Sequence, residues 1–126
     1  MTQKAIDLNA FIGIALFCVL MGAGQILFRL AAQRLAQTTD LSEKFLAAGL
    51  SPHFWAAAVL YGAASLLWVI ILARIPLSVA YPITTLTIVF VPIVSWYLFG
   101  DPISPRMVAG MLVILIGVWL IAGNSN

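Results

Sequence analysis

Four long stretches of this sequence carry no lysine, arginine, aspartate or glutamate. They cover residues 8–28, 45–73, 75–100 and 107–126. A helix that crosses the hydrocarbon core of a bilayer needs about 20 consecutive apolar residues, and each stretch reaches that length. The sequence therefore predicts a single unit over residues 1–126, with four transmembrane helices at about 8–32, 52–73, 76–99 and 105–123.

The scarcity of charge excludes most other classes of protein. Charged residues make up 8% of the chain and hydrophobic residues 63%, whereas a soluble domain carries about 25% charged residues. Six Lys or Arg and four Asp or Glu cannot cover a water-facing surface. A soluble enzyme, a nucleic-acid-binding protein and a disordered segment are thereby excluded. The single cysteine, Cys18, allows no disulfide framework within one chain.

Short connections predict how the helices pack. The one polar loop covers residues 33–50, while residues 74–76 and 100–106 form the other two connections. Ser51-Pro52 and Ser104-Pro105 have the N-cap serine and first-turn proline that begin a helix. Helices joined so closely lie side by side. We therefore expect an all-α integral membrane protein whose four helices form a compact antiparallel bundle.

The basic residues are distributed unequally between the two ends of the predicted bundle. Cytoplasmic loops of membrane proteins carry an excess of Lys and Arg, so this distribution favours termini outside the cytoplasm. One end has four basic residues and the other has two: Arg29, Arg34, Lys44 and Arg106 against Lys4 and Arg74.

The first predicted helix has one polar face. Gln25 and Arg29 lie within an arc of about 100° that also holds Cys18, Met21 and Gly22. Polar groups at membrane depth are costly and tend to face protein or water, so this face predicts a polar groove with Arg29 at its mouth. In the alternative interpretation, Arg29 extends to the lipid head groups and Gln25 makes one interhelical hydrogen bond.

The third predicted helix carries hydroxyl groups and two prolines. Pro82 and Pro92 each remove an internal hydrogen bond, which predicts kinks or breaks of the kind that line transporter cavities. A static kink filled by neighbouring side chains is the alternative. Hydroxyls can also bond to their own helix. Five hydroxyl residues share an arc of about 120° and indicate a lined pathway: Ser78, Tyr81, Thr84, Thr85 and Ser95.

The fourth predicted helix has a strip of small residues. Gly110 and Gly117 lie on one face, and Ala109 widens it. Small residues let helix backbones approach closely, so this strip is a candidate interface, either within the chain or between two copies in a dimer.

Catalytic and metal-binding patterns are missing from the sequence. All four carboxylates fall at helix ends or in loops, and His53 is the single histidine. No acid–base pair, metal-ligand cluster or partnered nucleophile can be composed from them, so we expect neither an enzyme nor a bound metal or cofactor.

Three segments resemble the drug/metabolite transporter superfamily. Residues 20–29 are similar to its first helix, residues 75–82 to the start of its third helix, and residues 110–118 to the dimer motif of the small multidrug resistance proteins. Within the superfamily the chain most resembles the E-type subunits of aminoarabinose-phosphoundecaprenol flippases. The shared segments are Ala23-Gly24-Gln25, Arg29, Ala80-Tyr81-Pro82 and the run Asp101-Pro-Ile-Ser-Pro-Arg106.

Two positions depart from the multidrug proteins. Their proton- and drug-binding glutamate falls on Met21 here, and an aromatic partner falls on Thr84. The resemblance therefore implies a flippase that moves a polyprenyl-phosphate-linked sugar across the inner membrane of a bacterium, as a homodimer or as a heterodimer with a similar subunit. The alternatives are a small-molecule or cation exporter and a membrane subunit that only positions a partner.

The flippase hypothesis assigns roles to particular side chains. Arg29 would bind the phosphate in the two-pronged geometry of a guanidinium, and Arg106 would hold it at the membrane surface. The sugar would be hydrogen-bonded as it passes by five further residues: Gln25, Ser78, Tyr81, Thr84 and Thr85.

Overall fold

The computed structural model of the chain describes residues 8–123, which form six α-helices and no strand. Lys4 and Asp7, used above for orientation and for the carboxylate inventory, lie outside the described residues. The helices are α1 (Leu8–Leu35), α2 (Leu41–Leu50), α3 (Pro52–Leu72), α4 (Leu77–Thr84), α5 (Thr87–Phe99) and α6 (Pro105–Gly123).

Four segments of this part of the chain are long and apolar enough to cross a membrane, which confirms the predicted class, an all-α integral membrane protein. They are Leu8–Leu35, Pro52–Leu72, Leu77–Phe99 and Pro105–Gly123. The third segment consists of α4 and α5 with a break between them. Dimerisation through the fourth segment stays a prediction.

The best-packed part of the molecule lies where the first half of α1 meets the end of α3 and the start of α4. Ile14 of α1 and Ile83 of α4 belong to one buried cluster with Ile71 of α3. Phe17 stacks on Trp68 beside them, with ring centroids 4.7 Å apart. The packed core therefore occupies one end of the bundle, and Gln25 and Arg29 lie toward the other.

The loop predicted over residues 33–50 contains a helix of its own, α2. Asp40 precedes it, and the Ser42 hydroxyl donates a hydrogen bond to the Asp40 carboxylate, which lowers the pKa of Asp40. No residue of α2 is buried, and Phe45 is among its exposed apolar residues. The Trp55 indole N–H donates to the Gly49 carbonyl and ties α2 to α3.

The two predicted serine caps have different outcomes. The Ser104 hydroxyl accepts a hydrogen bond from the Met107 N–H, as expected at the start of α6. Ser51 is the N-cap residue of α3 and Pro52 begins the helix, as predicted, but the Ser51 hydroxyl makes no capping hydrogen bond. Ser51 is enclosed between α2 and α3, and its hydroxyl is buried without a hydrogen-bond partner among the described residues.

The break between α4 and α5 does not lie at either proline. Pro82 and Pro92 both lie inside helical segments, and the break falls at residues 85–86. Backbone hydrogen bonds there join residues three apart, as from the Leu86 N–H to the Ile83 carbonyl. Threonine hydroxyls that bond to their own helix bend it, and three threonines surround the break. The position of the break therefore follows the threonine cluster.

Candidate substrate-binding site

An ion pair joins α1 to the connection between α5 and α6 at one end of the bundle. Arg29 Nη2 lies 2.9 Å from Asp101 Oδ1, and the Ser95 hydroxyl donates to Asp101 Oδ2 at 2.5 Å. The Arg29 guanidinium also lies 5.6 Å from the centroid of the Phe99 ring. Two residues of α5, Ser95 and Phe99, thus flank one carboxylate–guanidinium pair.

Gly100 positions Asp101 for this contact. It ends α5 with φ 70° and ψ 21°, a left-handed conformation in which a side chain would be strained. This turn carries the chain back toward α1 directly after Phe99. Asp101 lies in a loop, as predicted, but the sequence does not indicate Arg29 as its partner because the two residues are 72 positions apart.

The ion pair is open to its surroundings. The side chains of Arg29 and Asp101 are 48% and 37% exposed. An exposed pair of this kind contributes about 0.2–1 kcal/mol in water, so an incoming anion can compete for Arg29 at low cost. Arg29 is therefore both held in place and exchangeable.

A second polar contact lies one helical turn away on α1. Gln25 Nε2 donates to the Tyr61 hydroxyl at 2.7 Å. The Tyr61 ring packs against Phe28, with centroids 5.3 Å apart, and lies across Gly24. A Cβ at position 24 would overlap this ring, so the glycine makes room for it.

Tyr61 is a candidate site residue that the sequence interpretation missed. It stands as the one tyrosine in a long apolar stretch, without a polar neighbour that would mark it. The small residue at Gly24 was a usable signal, because a glycine in the middle of a span can mark the close approach of another side chain.

The predicted hydroxyl face of the third span is divided by the structure. Ser95 joins the Arg29–Asp101 pair. Ser78 and Tyr81 are exposed on α4, and Ser78 precedes Phe99 by 21 residues, roughly 30 Å of helix. Ser78 and Tyr81 therefore lie toward the opposite end of the span from Arg29, and not beside it.

Thr84 and Thr85 use their hydroxyl hydrogens within the helix. Thr84 Oγ1 donates to the Tyr81 carbonyl at 2.6 Å, and Thr85 Oγ1 donates to the Pro82 carbonyl at 2.5 Å. Each oxygen keeps a lone pair with which it can accept a hydrogen bond. A sugar could therefore meet these residues as acceptors without disturbing the helix.

The remaining predicted residues lie on α6. Arg106 is exposed in its first turn, at the same end of the bundle as Asp101. A Cβ at Gly110 or Gly117 would meet nothing within 4 Å in the described part of the chain. Met111 is the sole buried residue of α6. The glycine strip is thus not used for packing within residues 8–123.

No group of three His, Cys, Asp or Glu side chains that could hold a metal ion occurs among residues 8–123. The arrangement near Arg29 instead offers a permanent cation, an amide and a phenol along α1. These features define a small four-span membrane protein with a cationic residue on the polar face of its first helix.

Comparisons with known proteins agree with this class. A family model described as putative transmembrane family 234 matches residues 14–122. The chain belongs to that family, and to the same family as the proteins named ArnE described next. A search of solved structures finds no match.

Several curated relatives carry the name "Probable 4-amino-4-deoxy-L-arabinose-phosphoundecaprenol flippase subunit ArnE". The protein from Pseudomonas fluorescens is 30% identical over 112 residues, 89% of this chain and 96% of its own length. That from Pectobacterium atrosepticum is 29% identical over 115 residues, 91% and 99% of the two chains. In Enterobacter sp. the match is 38% identical over 67 residues, 53% of this chain and 63% of the relative.

These relatives confirm the resemblance to E-type flippase subunits. Their name is that of a transporter subunit and not of an enzyme, in agreement with the prediction. Together with the four spans, they support the predicted location, a multi-pass protein of the bacterial inner membrane.

Proposed function

We propose that this chain is a subunit of a flippase that moves a polyprenyl-phosphate-linked sugar of the aminoarabinose type across the bacterial inner membrane. Relatives matched over nearly their whole length are named for that substrate. The observation in the chain itself that carries the proposal is Arg29, a permanent cation in an exposed and exchangeable ion pair on the polar face of α1.

The phosphate would bind Arg29 by taking the place of Asp101. A guanidinium bonds a phosphate through two parallel N–H groups, as it does a carboxylate. Asp101 thus occupies the position of the substrate anion while the site is empty. When the phosphate arrives, the Asp101 carboxylate keeps its hydrogen bond from Ser95 and is not left without a partner.

The sugar would follow along α1 and the third span. Gln25 and Tyr61 are the first polar groups after Arg29, and they satisfy one another until a hydroxyl or amine replaces one of them. The hydroxyls of Ser78, Tyr81, Thr84 and Thr85 lie toward the other end of the third span. Arg106 would hold the phosphate at the membrane surface before it enters.

A second copy or a similar subunit would complete the transporter. The relatives are named as subunits. In this chain α6 buries one residue and leaves Gly110 and Gly117 without a neighbouring side chain. A close helix–helix contact through these glycines fits that surface, as a homodimer or a heterodimer.

Transport can be tested directly because the amino sugar carries a primary amine. Polyprenyl-phosphate-linked aminoarabinose is placed in phosphatidylcholine vesicles with the chain, alone or with a co-purified four-helix subunit. A membrane-impermeant amine reagent then reports the fraction of the lipid in the outer leaflet. We expect complete labelling with the protein and labelling of about half without it. Half labelling in both cases would contradict the proposal.

The cation-exporter alternative lacks its central group. The exporter's membrane-embedded glutamate corresponds to Met21, and Asp101 lies in the connection between α5 and α6. A binding site whose charged group is Arg29 favours anionic substrates over cationic ones.

A further inference from the structure

An apolar crevice opens where the third span is broken. It has a volume of about 230 Å³ and lies between the first half of α1 and the α4–α5 break. Ile14 and Ile83 are its buried members, and Leu86 and Thr87 border it at the break itself. We call it the α1–α5 crevice.

The lining of the crevice offers almost nothing to a polar ligand. The Thr87 hydroxyl donates its hydrogen to the Thr84 carbonyl at 2.8 Å. Cys18 contributes a thiol, which is a weak hydrogen-bond donor. A sugar or phosphate that entered would lose hydrogen bonds to water without replacement, whereas a hydrocarbon would lose none. The chemistry of the crevice therefore selects a hydrocarbon.

The crevice is open toward the surrounding lipid. Three of the apolar residues that line it are about half exposed: Phe11 at 57%, Val19 at 54% and Phe90 at 47%. Its volume is below the roughly 300–1,000 Å³ of pockets that enclose a whole drug-sized ligand. The crevice thus has room for a segment of a chain that enters from the membrane.

The crevice and the anion-binding residues lie on the same face of α1. Ile14, Cys18, Gln25 and Arg29 follow one another at spacings of four or seven residues, which places them along one side of the helix. Cys18 is about 16 Å from Arg29 along the helix axis at 1.5 Å per residue. A lipid whose phosphate binds Arg29 can therefore reach the crevice with the first part of its tail.

Phe90 lies between the crevice and the part of α1 that carries Gln25 and Arg29. It lines the crevice, and its ring atoms are 3.3 Å from the position that a Cβ at Gly22 would occupy. Gly22 is buried one turn before Gln25. A chain that runs from Arg29 to the crevice passes over this ring.

We propose that the α1–α5 crevice binds a segment of the isoprenoid chain of the carrier lipid whose phosphate is held at Arg29. This inference rests on the proposed function and adds a tail-binding subsite to it. Because the tail is already in an apolar solvent, the crevice adds packing contacts and orientation, not hydrophobic burial. It would keep the lipid tail on the α5 side of α1, at Gly22 and Phe90, while the sugar contacts Gln25 and Tyr61 on the α3 side.

Photo-cross-linking tests the subsite. The full chain in phosphatidylcholine vesicles is exposed to farnesyl phosphate with a diazirine in its tail, and separately to phosphatidylcholine with the same group in one acyl chain. We expect the phosphate probe to label Cys18 and Phe90 preferentially, because they lie within reach of a tail whose phosphate is at Arg29, and the phospholipid probe to label exposed residues on all sides without this preference. Equal labelling of the crevice by both probes would make it an ordinary lipid contact and overturn the inference.

A filled crevice provides the second measurement. In wild type, with both ligand concentrations expressed per membrane lipid, farnesyl phosphate should bind roughly threefold to tenfold more tightly than dimethylallyl phosphate, which shares the phosphate but has a short tail. Ala15 of α1 also lines the crevice, so Ala15→Phe should remove this difference and leave dimethylallyl phosphate binding unchanged. The matched control is Ala63→Phe, at an exposed position of α3 outside the crevice. A tail-length difference that persists in Ala15→Phe would overturn the inference.

The two proposals fail in different ways. If dimethylallyl phosphate did not bind or its binding did not depend on Arg29, the proposed function would fail. If it bound through Arg29 but tail length had no effect in wild type, the subsite alone would fail. The wild-type labelling pattern needs no variant, so a poorly folded Ala15→Phe would not prevent a decision.

Discussion

The guanidinium of Arg29 lies 2.9 Å from the carboxylate of Asp101 and joins α1 to the connection between α5 and α6. Asp101 also accepts a hydrogen bond from Ser95 on α5. These contacts hold α1, which carries the polar face, against α5 and the connection that follows it. In the proposed transporter, substrate phosphate competes with Asp101, so the pair holds the empty site together and separates when the site is filled.

Arg29→Ala is expected to abolish head-group translocation, and Arg29→Lys to leave part of it. Lysine keeps the charge but cannot form two parallel hydrogen bonds with a phosphate. Loss of a charge-assisted hydrogen bond costs about 1.5–3 kcal/mol, which corresponds to a loss of affinity of roughly tenfold to a hundredfold. The measurement is labelling by the impermeant amine reagent, normalised to membrane-inserted protein. Wild-type activity in Arg29→Ala would indicate that Arg29 only anchors α1 at the head groups.

Asp101→Asn is expected to strengthen phosphate binding and to preserve transport. It removes the competing negative charge but keeps a side chain of the same size. The pair is partly exposed, so the gain should be no more than about fivefold in affinity. Binding of dimethylallyl phosphate provides the measurement, and Asp40→Asn, at a carboxylate that bonds Ser42 before α2, is the control. Abolished transport with intact binding would show that Asp101 carries protons and does not merely occupy Arg29.

Gly117→Leu is expected to separate the protomers if α6 forms the dimer interface. A bulky side chain keeps helix backbones apart, and position 117 has no neighbour within 4 Å in the described part of the chain that would itself be disturbed. Cross-linking in membranes and mass in detergent report the association. Gly62→Leu is the matched control, because Gly62 is an exposed residue of α3 that also has open space around it. Equal association in both variants would show that α6 is not the interface.

Gly24→Ala is expected to destabilise the protein more than Tyr61→Phe. The new methyl group would overlap the Tyr61 ring and force it away from α1. Tyr61→Phe loses one hydrogen bond, from Gln25, which contributes about 0.5–1.5 kcal/mol. Thermal unfolding in detergent compares the two, with Gly13→Ala as the control, since a Cβ there would make an ordinary 3.5 Å contact with Ile71. A stability of Gly24→Ala equal to that of Gly13→Ala would mean that the ring moves aside freely.

Apolar length and the placement of charges were sufficient to predict the class of the molecule. Hydrocarbon excludes unpaired backbone groups, so an uninterrupted apolar stretch of about 20 residues has few structures available to it. The same restriction made Arg29 and Gln25 recognisable as candidates, because polar residues in a span require a partner. Both do have partners in the structure, Asp101 and Tyr61.

The identity of those partners was decided by tertiary structure alone. Asp101 follows Arg29 by 72 residues and Tyr61 follows Gln25 by 36, and no periodicity within one helix relates such positions. The break at residues 85–86 likewise lies beside three hydroxyls that bond to nearby carbonyls, and at neither of the prolines that are conspicuous in the sequence. The four spans follow from local composition, because each helix satisfies its own backbone. The Arg29–Asp101 pair, the Gln25–Tyr61 contact and the crevice depend on the tertiary structure, because each is formed by side chains from distant parts of the chain.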